Sequence, residues 1–251
     1  MSTLFNTSDV PDATPALSST ETVLHRPIKS FVLRQGHLTD SQRAAVAAGM
    51  LEHGIAYQKN PLDLNAIFQR TAPKILEIGF GMGTATAQIA EQMPHQDYIG
   101  IEVHTPGVGN LFKLIKEKNL TNLRLMHHDA VEIIDHMLLD GSLDGVHIFF
   151  PDPWHKKRHN KRRLIQLPLI AKLSKKIKAG GYLHAATDWE DYAIQILDVF
   201  QNSPDLTNQA TTASGYAERP NYRPITKFEN RGIKLGHGVW DIIFIKKASA
   251  D

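Results

Sequence analysis

The stretch Lys74-Ile-Leu-Glu-Ile-Gly-Phe-Gly-Met-Gly-Thr84 decides the fold. A short apolar run ends in three alternate glycines, and Thr84–Met93 then reads as a helix stopped by Pro94. Glycines at such a turn let the backbone bend sharply and approach a ligand closely. The helix start that follows offers free N–H groups. Downstream the pattern repeats. Tyr98–Val103, Leu123–Met126, Val146–Phe150 and Tyr182–Ala186 are further apolar runs. Between them lie helical stretches: Thr105 to Lys118 with Thr105 as N-cap and Pro106 in the first turn, Asp129 to about Leu139, and Leu167–Ala179 closed by Gly180-Gly181. One more covers about 191–200. Strand and helix in alternation imply an α/β fold with a mostly parallel sheet covered on both faces. Leu206–Thr212 and Val239–Ile245 read as strands with a long loop between them, which predicts an antiparallel edge strand.

The glycine spacing is G-x-G-x-G, with Thr84 where a dinucleotide fingerprint would have its third glycine, and Glu77 stands two residues ahead of Gly79. This favours a nucleoside ligand that has no pyrophosphate and carries positive charge near Glu77. S-adenosyl-L-methionine, with an ammonium, a sulfonium and no phosphate, meets that description. The plain alternative is a glycine-rich turn without a ligand. Glu102 closes the second run, placed to accept hydrogen bonds from ribose hydroxyls. Asp129 follows the third run and suits an adenine amino group or, in Asp-x-x-Glu, a helix N-cap. Three acids after three consecutive strands point to the crevice at the carboxyl ends of an open sheet.

After the fourth run comes Phe149-Phe-Pro-Asp-Pro-Trp-His-Lys-Lys-Arg-His-Asn-Lys-Arg-Arg163. Two prolines stiffen the backbone around Asp152, and Trp154 suits stacking on a base or closing the core. Between Pro153 and Thr187 there are 10 Lys or Arg and no Asp or Glu, so the rest of the chain carries 18 − 26 = −8. Such polarity is an electrostatic footprint for phosphates. Lys172, Lys175, Lys176 and Lys178 read as the solvated face of a helix, whereas Lys156–Arg163 lies in a loop beside the crevice. His155 and His159 have the four-residue spacing of zinc ligands, but the Glu of HExxH is missing and cations surround both, so no metal is expected.

Length and composition narrow the class. The chain has 251 residues, 42% hydrophobic and 22% charged, with a net charge of +2, as in an ordinary globular protein with an ample core. It has no cysteine, which removes disulfides, cysteine-held zinc or iron–sulfur clusters and thiol nucleophiles. The first 25 residues lack Lys and Arg and are rich in Ser, Thr, Asp and Pro. They are read as a disordered segment rather than a secretory signal. No run approaches the roughly 18 apolar residues of a membrane helix. A cytoplasmic protein without a membrane, metal or obligate protein partner is expected, with residues 26–251 as one domain.

These residues resemble the bacterial tRNA (guanine-N7-)-methyltransferase family. The resemblance rests on Leu76–Gly83, Gly100–His104, His128–Ala130, Phe149–Lys156, Arg158–Arg163, Ala186-Thr-Asp-Trp189, Thr226–Gly232 with Gly236–Trp240, and Lys29–Gly36 near the start, and spans about residues 26–247. It implies a class I methyltransferase (Rossmann-like) fold, with a seven-stranded, mostly parallel sheet and an antiparallel last strand. It also implies methyl transfer from S-adenosyl-L-methionine to N7 of a variable-loop guanine in tRNA. By resemblance, Glu77, Gly79, Gly81, Gly83, Glu102, Asp129 and Asp152 contact the cofactor, and Asp152 is the catalytic position. Lys156, Arg158, Lys161, Arg162, Arg163, Asp188, Thr226, Lys227, Phe228 and Glu229 contact substrate RNA, and residues 26–251 form a single methyltransferase domain that includes an N-terminal RNA-proximal extension. Asp188 also suits the N-cap of the next helix, and Trp189 and Trp240 read as core. Two competing readings stay open: a non-catalytic RNA-binding subunit, and a small-molecule methyltransferase with an incidental basic face.

Overall fold

The computed structural model describes residues 29–31, 39–226, 229–230, 236 and 238–248. The segment 1–25 therefore lies outside the described residues. Seven strands form one sheet in the order β3-β2-β1-β4-β5-β7-β6. They are β1 (Lys74–Ile78), β2 (Asp97–Ile101), β3 (Leu123–Met126), β4 (Leu143–Phe149), β5 (Ile177–Thr187), β6 (Leu206–Asn208) and β7 (Trp240–Lys246). The first five pair in parallel, and β7 runs antiparallel to both β5 and β6. The antiparallel last strand is thus inserted beside β5, and β6, paired antiparallel with β7, forms the edge.

Side chains alternate along each strand and sort into two cores. Leu76, Ile78, Ile99 and Ile101 join the core that holds Ile133 of α5 (Ala130–His136), Ile170 of α6 (Leu167–Lys176) and Tyr192 of α7 (Glu190–Gln201). Ile75 and Tyr98 face the other way, onto Ile89 of α3 (Thr84–Gln92) and Leu111 of α4 (Thr105–Lys118). Two further helices precede the sheet, α1 (Asp40–His53), which packs on α4, and α2 (Leu64–Phe68). Each fully buried Leu or Ile contributes roughly 1.5–3 kcal/mol, which is why the order of short apolar runs was readable as strands.

Three local readings are corrected. α6 stops at Lys176, and Gly180, at φ +78°, lies within β5 near a register shift against β4. The glycines therefore bend a strand instead of ending a helix. The N-cap of α4 is His104, with Thr105 already helical. Trp189 is no core residue: it is 37% exposed and meets His155 edge-on at 4.3 Å.

One contact seats the helices around the glycine turn. Gly107 in the first turn of α4 lies against the backbone of that turn, so a Cβ there would stand 1.9 Å from the Gly81 carbonyl oxygen. Gly107→Ala is therefore expected to cost about 1–3 kcal/mol in a denaturant titration, because the obstacle is backbone and cannot rotate away.

Candidate active site and basic loop

A cleft of about 360 Å³ opens at the carboxyl ends of four adjacent strands. Its lining comes from Ile78 and Gly79 after β1, Ile101–His104 after β2, His128–Ala130 after β3 and Phe150–Asp152 after β4. Ser30, Phe31 and Leu164 complete it. It sits where the strand order reverses around β1, the place at which open parallel sheets bind ligands.

Glu102 is largely buried, and its carboxylate accepts backbone N–H groups from Gly81 at 2.8 Å, Val103 at 2.7 Å and His104 at 2.9 Å. Gly79 and Gly81, at φ +78° and +57°, would each point a Cβ into open space. The turn thus offers its backbone to a neighbouring molecule. Gly83 does not line the cleft; it caps α3 and packs on Leu111. Asp129 lines the cleft and also caps α5, accepting the Val131 N–H at 3.1 Å, while Lys29 approaches at 3.5 Å. Asp129 is therefore both the cap of α5 and a lining residue of the cleft. Glu77 lies beneath the turn, 3% exposed, and its Oε2 has no partner among the described residues. Burial pushes its carboxyl up to about 7; the nearby Thr86 hydroxyl opposes the shift and the Glu102 charge adds to it.

Asp152 is exposed on the cleft wall and accepts the Trp154 N–H at 3.0 Å. The flanking Phe150 and Trp154 both adopt φ of +49°, a region uncommon for large side chains. Trp154 is half-buried: its indole N–H donates to the Ser30 carbonyl at 3.3 Å, and Arg162 lies 5.0 Å above its ring. It holds the loop together by packing.

The basic loop forms a 3-10 helix over Lys157–Arg162. Lys156, Lys157, Arg158 and Lys161 are exposed and form no ion pair among the described residues. Partial burial and the charges of Arg158, Arg162, Lys156 and Lys161 hold His159 below its usual value. Lys161 and Arg162 line a second cleft of about 370 Å³, which shares Ser30, Asp129 and Leu164 with the first. The helix-face lysines behave differently: Lys172, Lys176 and Lys178 pair with Asp135, Asp140 and Asp144 at 2.7–2.9 Å.

Several expected RNA contacts are corrected. Arg163 is 3% exposed and donates to Pro153 O, Gln195 and Asp191 at 2.9, 2.6 and 2.6 Å, so it ties the loop to α7. Glu229 is likewise 3% exposed, and Arg223 occupies both its carboxylate oxygens. Thr226 and Glu229 bond each other reciprocally, Glu229 N–H to Thr226 Oγ1 at 3.1 Å and Thr226 N–H to Glu229 Oε2 at 3.3 Å. This is a capping box, and its Thr-x-x-Glu spacing was visible in the sequence. Asp188 is exposed beyond β5, outside the cleft lining, and the cap of α7 is Trp189. Lys227 and Phe228 lie outside the described residues. Ser30, Phe31, His104 and His128 also line the cleft; they fall within stretches that carry the resemblance, but sequence reasoning gave them no site role.

Among the described residues no group of three His, Asp or Glu could hold a metal ion, and no helix is long and apolar enough to cross a membrane.

A family described as “Putative methyltransferase” matches residues 71–242. The chain is 70% identical to the tRNA (guanine-N(7)-)-methyltransferase of Chromobacterium violaceum, over 88% of this chain and 97% of that protein. It is 60% identical to the protein of the same name from Methylobacillus flagellatus, over 90% and 94%. The solved structure of the 16S rRNA methyltransferase KamB shares the fold at a TM-score of 0.52 and 11% identity, over 78% of this chain and 99% of that one.

Two outcomes are expected. A carboxyl raised to about 7 from 4.5 lowers stability as pH rises across that interval, because the folded state retains its proton longer. Glu77→Gln should therefore stabilise the ligand-free protein at pH 8 by roughly 3 kcal/mol, a gain that shrinks as pH falls toward 5 in denaturant titrations. Arg158→Ala with Lys161→Ala should flatten the log–log salt dependence of RNA affinity by roughly 0.7 per lost contact. Arg163→Ala should instead cost about 2 kcal/mol of stability through its lost charge-assisted bonds and leave that slope unchanged.

Proposed function

The chain belongs to the bacterial tRNA (guanine-N7-)-methyltransferase family, and on that premise we propose how its own residues divide the work. It is an S-adenosyl-L-methionine-dependent enzyme that methylates guanine N7 in tRNA. The cleft fits that cofactor on its own evidence. Gly79, Glu102 and Asp129 line it at three strand ends, Gly81 beside them faces open space, and Glu77 Oε2, behind the lining, is a buried acceptor with no donor among the described residues. When bound, the cofactor supplies a methyl group on a sulfonium centre.

Guanine N7 has a lone pair and no proton, as its acceptor role shows. Forming the N7–CH3 bond as the S–CH3 bond breaks moves positive charge onto the purine, and no general base is required. What the protein adds is alignment and electrostatic support for that charge. Asp152 takes this role: an exposed carboxylate on the cleft wall, held by Pro151, Pro153 and the Trp154 N–H, orients the guanine edge and offsets the developing cation. The observation that carries this reading is its place on the wall of the acid-lined cleft, shortly before a run of exposed cations, Lys156, Lys157, Arg158 and Lys161, that form no ion pair among the described residues. Those cations and the second cleft take the tRNA backbone, with the variable loop delivering the guanine. The activity belongs in the cytoplasm, where tRNA matures.

The direct test is incubation with S-adenosyl-L-methionine and an unmethylated tRNA transcript, scored by borohydride and aniline cleavage. A cut at one variable-loop guanine, lost when that guanine is replaced by adenine, is expected; no cut would sink the reading. Asp152→Ala should lower turnover by about 100-fold with RNA affinity little changed. Equal losses in both would remove Asp152 from the transfer step.

A further inference from the structure

Arg223 heads the fully buried side chains by size. Its guanidinium donates to Asp241 at 2.6 and 2.8 Å and to the two Glu229 oxygens at 2.9 Å each. Asp241 on β7 also meets His184 Nε2 of β5 at 2.8 Å, and His184 Nδ1 lies 2.7 Å from the Tyr222 hydroxyl. On its remaining side, the guanidinium stands 5.5 Å from the centre of the Phe150 ring. Burying a cation with two carboxylates gains little over apolar packing; a satisfied network of this kind instead fixes geometry.

The elements it joins are the informative part. Phe150 precedes Pro151-Asp152, and both Phe150 and Asp152 line the cleft, while Arg223, Glu229 and Asp241 do not. Asp241 is anchored in the sheet, and Glu229 closes the Thr226 turn. We propose that Arg223 is a positioning residue for methyl transfer: it locks the Thr226–Glu229 turn to β7 and supports the Phe150 ring, so that Asp152 stays fixed on the cleft wall. Asp241 sets the guanidinium in place and acts only through it. Glu229, expected from resemblance to touch substrate, acts here through Arg223 as well. The inference rests on the transfer reading given above and adds a mechanical basis for it.

The test uses the full chain with Arg223→Lys, which keeps the charge and loses the fork, and Asp241→Asn, which keeps the shape and leaves the Glu229 bonds. Single-turnover transfer to a tRNA transcript is measured at saturating cofactor and RNA, well below each melting temperature, beside calorimetric cofactor affinity and filter-binding RNA affinity. The expected result is a transfer rate down by tenfold to a hundredfold, the scale of a misplacement near 1 Å, with both affinities within about threefold of wild type. A folded variant that transfers within about threefold of wild type overturns the inference. So does a rate loss matched by the loss in cofactor affinity, or failure of both variants to fold, since each would assign the network to stability alone. If Arg223→Lys alone fails to fold, Asp241→Asn decides. A wild-type protein that leaves no N7 mark would refute the functional reading instead.

Discussion

The Glu102 carboxylate bridges two chain segments that the sequence separates by about twenty residues, the glycine turn after β1 and the exit of β2. Hydrogen bonds from backbone N–H groups to an ionised carboxylate contribute roughly 1.5–3 kcal/mol each, so three of them tie these strand ends firmly. With Gly81 held there, α4 can press Gly107 onto its carbonyl, and the floor of the cleft is set before any ligand arrives. An acid read from sequence as a ribose contact thus also builds the site. An ionised carboxylate has about four lone-pair directions, so the three backbone bonds leave Glu102 spare acceptor capacity.

The parallel sheet was legible because its runs are short, apolar and separated by helices with standard ends. The Gly79–Gly83 turn and the acids of β2 and β3 were legible because a strand end places its side chains predictably. What escaped were contacts made by partners far along the chain. Nothing near Arg163 in sequence says that Asp191 and Gln195 will reach it, so a buried clamp read as one more cation in a basic run. Glu229 escaped although Arg223 is only six residues away and its capping-box spacing to Thr226 was present, because the Arg223 fork is set by Asp241 on β7. Gly180 read as a helix end because a glycine pair after a helical period signals a cap as readily as a bend in a strand.

The charge distribution sharpens in a similar way. The ten-cation window is two populations. Lys172, Lys176 and Lys178 find aspartates on neighbouring elements, and such exposed pairs contribute little. Arg163 is buried against Asp191, whereas Lys156, Lys157, Arg158 and Lys161 are exposed and form no ion pair among the described residues. The cleft that holds Lys161 and Arg162 adjoins the one that holds Glu102 and Asp152, and the two share Ser30, Asp129 and Leu164, so charges of opposite sign meet at one mouth.

The left-handed backbone at Phe150 and Trp154 has a consequence for how this enzyme can change. Each position stores about 1–3 kcal/mol of strain, which the surrounding packing, the Arg162 stack and the Ser30 contact must offset. Glycine at either position would relax the backbone, but at Phe150 it would remove a ring that lines the cleft and at Trp154 the ring that Ser30 and Arg162 contact. Selection for heat resistance alone would therefore favour loosening the very loop that presents Asp152. Backbone relaxation and the packing of this loop are set against each other at these two residues, and gains in robustness have to come from elsewhere in the chain.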